Sequence, residues 1–121
     1  MPLRRIAKGF KSSTDDLHRE RLSGRFETGA LGTTSIVDAP TRARIRIAGE
    51  VARMRVVPRA GSPSLEVTVD DGTGRALVIF TGRKRIAGID PGRHLLLEGT
   101  ARDEHNRLVL MNPGYTLLAS S

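Results

Sequence analysis

Residues 44–57, RIRIAGEVARMRVV, alternate between polar and apolar twice, out of step with each other. Apolar side chains are odd-numbered at Ile45 and Ile47 and even-numbered at Met54 and Val56. A strand swaps faces at every residue, so a one-residue slip would carry an arginine into the core. A β-bulge adds one residue, bends the strand and resets the phase. Gly49, which has no Cβ, is the expected bend. The pattern predicts Ile45, Ile47 and Val51 inward, then Ala52, Met54 and Val56, with Arg44, Arg46, Arg53 and Arg55 outward. No turn residue follows Gly49, which argues against two short strands joined by a loop.

Further strands follow. Leu65, Val67 and Val69 alternate with Glu66, Thr68 and Asp70, a half-buried strand. Asp71-Gly72-Thr73-Gly74 is a turn, and Arg75 to Thr81 returns with Ala76, Val78 and Phe80 inward. Gly82 to Ile89 has room for one short helix. Arg93 to Arg102 is a fourth strand with Leu95, Leu97, Gly99 and Ala101 inward. Arg107 to Leu118 is a fifth, where Pro113 suggests an edge or a bend. The expected fold is mainly β: a five-stranded OB-fold barrel with a short helix between strands three and four.

Residues 1–35 read as a partly helical extension ahead of the barrel at 36–121. Leu3, Ile6, Ala7 and Phe10 have helical spacing. Thr14 could cap a second helix, with Asp15 and Asp16 in its first turn, Leu17 and Leu22 buried and Gly24 as its stop. Gly24 to Thr34 reads as a flexible link.

Composition narrows the function. The 121 residues carry 20 Lys+Arg against 13 Asp+Glu, a net charge of +7, which favours a polyanion such as nucleic acid. Seventeen of the twenty are Arg, a bias that a G+C-rich genome also produces. There are no cysteines, hence no disulfide and no thiolate metal site. No apolar run approaches the roughly 18–20 residues of a membrane span, and no apolar stretch follows Arg4 and Arg5 as a signal peptide needs. A cytoplasmic protein without membrane attachment is expected.

The segments "IVDAPTRARIRIAGEV" and "LEVTVDDGTGRALVIF" resemble OB-fold nucleic-acid-binding domains of the tRNA-anticodon and RecG-wedge type. The continuation "TGRKRIAGIDPGRHLLLEGTA" and "NPGY" resembles small stand-alone OB-fold proteins of high-G+C Gram-positive bacteria. The resemblance covers residues 36–118. It implies a binding face on strands two and three, flanked by the loops between strands one and two and between four and five. On this chain that face would hold Arg53, Arg55, Glu66, Thr68, Arg75, Leu77 and Ile79. The loops would add Arg59 on one side and His105, Asn106 and Arg107 on the other. Anticodon-binding members place an amide and an aromatic where Leu77 and Ile79 stand, so base-specific readout is not expected.

Catalytic signatures are missing. His18, His94 and His105 are scattered and read as surface residues, and no metal-ligand spacing occurs. Neighbouring Asp70 and Asp71 would point to opposite faces of a strand. No enzyme activity, cofactor or metal is expected. The sequence reads as a module for single-stranded DNA or RNA with low sequence specificity. Its alternative is an adaptor in a repair, replication or translation complex, contacting a protein through an exposed Leu77/Ile79 pair or the N-terminal extension. Arg83-Lys84-Arg85 is a further basic spot.

Overall fold

The computed structural model describes residues 13–26 and 32–119. Helix α1 spans Ser13–Arg25, and a 3-10 turn covers Ile36–Asp38. Six strands follow: β1 Arg44–Arg59, β2 Ser62–Asp70, β3 Arg75–Thr81, β4 His94–Glu104, β5 Arg107–Met111 and β6 Gly114–Leu118. Five of them close in a ring, β1-β2-β3-β5-β4 and back to β1, while β6 pairs with His94–Glu98 of β4, beyond the stretch that pairs with β5. All pairings are antiparallel except β3–β5.

β1 is the strand that closes the ring. Its first half, Arg44 to Glu50, pairs with β4; its second half, Glu50 to Arg59, pairs with β2. The register shift lies between Val51 and Arg53, so Ala52 is the extra residue. The phase reset expected from the alternation is present, three residues beyond the expected bend. Ile45, Ile47 and Val51 are buried, Met54 packs against the same core, and Arg44, Arg46, Arg53 and Arg55 are exposed. Two expectations fail. Ala52 is exposed because it is the bulged residue itself, and Val56 is 49 % exposed although its cross-strand partner Leu65 is buried in the core. Gly49 has a different task. A Cβ at this position would lie 2.5 Å from Val69 Cγ1 and 3.0 Å from the Asp70 carbonyl oxygen. Its missing side chain lets β1 pass close to the end of β2.

The core inside the ring takes alternate residues from every strand: Val67 and Val69, Val78 and Phe80, Leu95 and Leu97, Leu108 and Leu110. Dry apolar burial of this kind stabilises by roughly 25 cal/mol per Å². No helix forms between β3 and β4. Residues 82–93 run as successive turns whose Ile86 and Ile89 plug the core. Gly82 and Gly88 would each cost a helix about 1 kcal/mol, and both take positive φ here, +74° and +88°. The expected fifth strand is broken at Asn112–Pro113 into β5 and β6, which pair with β4 at different stretches.

Helix α1 lies on the outside of the ring. Leu22 and Phe26 bury themselves with Ala48, Leu96 and Leu118. Leu17 is 57 % exposed, contrary to the sequence expectation, and Gly24 lies within the helix, not after it. Thr14 falls inside the first turn. The expected helix carrying Leu3, Ile6 and Phe10 lies outside the described residues.

Gly49→Ala is expected to destabilise the protein by about 1–3 kcal/mol, because the neighbour that must give way is partly backbone. A urea unfolding midpoint lowered without a change in slope is the predicted signature.

Candidate nucleic-acid interface

The cross-strand register builds the outer face in rows. Arg53, Thr68, Leu77 and Val109 stand side by side on β1, β2, β3 and β5. Two residues further along the strands stand Arg55, Glu66, Ile79 and Met111. Between them, Met54, Val67, Val78 and Leu110 face the core. Period-two alternation thus places the arginines and the core on opposite sides of one sheet.

The two outer rows border a shallow groove lined by Arg53, Met54, Arg55, Glu66, Thr68, Leu77 and Arg107. Six of the residues expected on the face or its flanking loops, Arg53, Arg55, Glu66, Thr68, Leu77 and Arg107, therefore meet in one place. Ile79 lies one row away but is fully buried, and Leu77 is 4 % exposed. With Val109 and Met111 they form a small second core on the outer face. The expected exposed apolar pair does not exist, because β5 lies parallel beside β3 and flanks both residues. His105 and Asn106 form the two-residue β4–β5 turn with φ of 56° and 62°, next to Arg107. Both are exposed, and neither lines the groove.

Carboxylates sort the arginines. Glu66 is 5 % exposed and accepts hydrogen bonds from Arg55 Nε at 3.1 Å and Arg59 Nη2 at 3.2 Å. Burial pushes its carboxyl pKa up, but the bonds and charges of Arg59 and Arg55 outweigh this and hold it below the ordinary carboxylate range. Arg75 belongs elsewhere. It donates from Nε to Asp70 Oδ2 at 2.9 Å, and Arg19 of α1 reaches the same oxygen at 2.9 Å. These groups line a second cleft, with His18 and Glu50, beside α1. Arg53 and Arg107 are exposed and have no ion-pair partner among the described residues.

The remaining polar groups are structural. Asp71 accepts bonds from Thr73, Gly74 and the backbone of Ile36, tying the β2–β3 turn to the 3-10 turn. His94 is buried, unlike the surface residue expected, with Nε2 3.2 Å from Glu50 Oε1 and its ring edge-on to Phe26. Phe80 sits in the ring core, against Tyr115 of β6. Arg83, Lys84 and Arg85 are exposed on the β3–β4 connection. Sequence reasoning missed the anchoring role of Glu66 and placed Met54 only in the core. The opposite charges of Arg55 and Glu66 across one hairpin were the available signal.

Sequence comparison finds no matching family model and no matching curated protein. Among solved structures, a chain of a replication protein A heterotrimer bound to ssDNA is similar in fold. The TM-score is 0.50 at 17 % identity, covering 74 % of this chain and 74 % of that one. At this identity the likeness bears on the fold, an OB-type ring.

Because the Glu66 carboxyl is lowered in the folded state, its contribution to stability is fully present above the ordinary carboxylate range. It is lost as pH falls through the lowered value. Urea unfolding of wild type and Glu66→Gln is expected to differ at neutral pH, and the difference should shrink steadily on acidification.

Proposed function

We propose that this chain is a non-catalytic module that binds single-stranded nucleic acid, DNA or RNA, with little sequence preference. Its site is the groove between Arg53, Arg55 and Arg107. The observation that carries this reading is the pair Arg53 and Arg107, exposed on the outer face with no carboxylate partner among the described residues. A flexible phosphate backbone can supply the missing anions along the groove, releasing counterions as it does so. The replication protein A chain of similar fold belongs to an assembly solved with ssDNA, which supports the same ligand class.

Low specificity follows from the lining. Apart from Thr68 and the engaged Glu66, the groove offers cations and the edges of Leu77 and Met54. Cations read phosphates, and phosphates carry no sequence. The anticodon and RecG-wedge variety of the fold is part of this proposal on the sequence resemblance, and a cytoplasmic setting is part of it on the composition, which has no cysteine and no apolar run of membrane-spanning length. The adaptor reading loses the exposed Leu77/Ile79 pair that motivated it, since both are buried. Leu3, Ile6 and Phe10 of the extension lie outside the described residues. No α-helix among the described residues is long and apolar enough to cross a membrane.

Anisotropy titrations with single-stranded DNA, single-stranded RNA and duplex at several salt concentrations test the proposal. Three phosphate contacts give a log–log salt slope of about −2, at roughly −0.7 per contact on a single strand. The double variant Arg53→Ala/Arg107→Ala should bind weakly with a slope near about −0.7. No saturable binding by wild type, or an unchanged slope in the variant, would refute this site.

A further inference from the structure

Glu66 holds its two arginines in different ways. Arg59 is bonded through a terminal nitrogen, and its own Nε is buried without a hydrogen-bond partner. Two of its nitrogens are thus turned to the protein. Arg55 is bonded through Nε alone, and its side chain is 61 % exposed against 39 % for Arg59. No hydrogen bond to a described residue engages the terminal nitrogens of Arg55, and the residue lines the groove. A guanidinium is flat and carries its charge over the whole plane, so it stacks on π-systems as well as binding anions. Anchoring at Nε reduces its freedom before any ligand arrives, which lowers the entropy lost on binding.

The surroundings leave this role open. Single-strand sites in general rest bases on aromatic rings or on arginine planes. Among the described residues no aromatic lines this groove: Phe26 and Phe80 are buried, and Tyr115 stands on β6. Among the described residues Arg53 and Arg107 have no carboxylate to fix them. Arg55 alone combines exposure in the groove with a buried anchor.

We propose that Arg55, clamped at Nε by the buried Glu66 carboxylate, is the planar platform on which a base of the bound strand stacks. This rests on the nucleic-acid reading of the groove. Glu66 is then a positioning residue, and the site favours strands that carry bases over bare sugar-phosphate.

The test compares oligo-dT of about ten nucleotides, within the usual span of such a site, with an abasic strand of equal length. Wild type should prefer oligo-dT by about three- to tenfold, the scale of one cation–π or stacking contact. Arg55→Lys keeps the charge and removes the plane, so the preference should vanish while the salt slope stays. Glu66→Gln should reduce the preference with Arg55 still present. The wild-type Arg55 Nε–H resonance, assigned by its loss in Arg55→Lys, gives a second measurement. It should shift with oligo-dT and not with the abasic strand. If Arg55→Lys fails to fold, through-bond assignment of the Arg55 Nε–H from its own backbone amide leaves this readout intact. A preference retained by Arg55→Lys, no preference in wild type, or equal shifts with both strands would overturn the platform while leaving the groove as a phosphate site. Failure of both strands to bind wild type would overturn the groove itself.

Discussion

The ring depends on one strand serving two neighbours. β1 leaves β4 and joins β2 at Glu50, which pairs with residues of both. Two constraints meet there. Gly49 must lack a Cβ to pass the end of β2, and Ala52 must be inserted so that the alternation restarts on the other phase. Without the insertion Arg53 and Arg55 would point at Val67 and Val78. An unpaired arginine in such a core costs several kcal/mol or more. The bulge is therefore what allows one strand to close a dry core and also present cations on its far side.

The outer face is then graded by its carboxylates. Asp70 engages Arg75 and Arg19, so these cations hold α1 to the ring and are set apart from the groove. Glu66 engages Arg55 and Arg59 within the groove region. Arg53 and Arg107 have no carboxylate partner among the described residues. Exposed ion pairs contribute little to stability, but they decide which positive charges are available to a ligand. A net charge of +7 says far less than this local distribution does.

Much of this was legible in the sequence because it depends on local alternation. The order of strands, the slip in β1, the inward residues of β2, β3 and β4, and the β2–β3 turn all follow from period-two patterns and turn chemistry. What was illegible depends on long-range neighbours. The parallel β5 beside β3 buries Leu77 and Ile79, and alternation cannot show which strand lies alongside. Arg19 reaches Asp70 from 51 residues away, and nothing near either residue announces it. A helix was expected after β3 on length alone, but length does not show that Gly82 and Gly88 take positive φ and that Ile86 and Ile89 reach the core from turns. At the site, residue types and face were readable, but the sorting of arginines was not. It needs the positions of Glu66 and Asp70 relative to both neighbouring strands and α1.

The most direct measurement is a backbone amide NMR titration of the protein with a short single-stranded oligonucleotide. The account predicts shifts concentrated at Arg53, Arg55, Glu66, Thr68, Leu77 and Arg107, with His18, Arg19 and Arg75 beside α1 left unmoved. Shifts centred on the α1 cleft or on β6, with the groove residues silent, would contradict it.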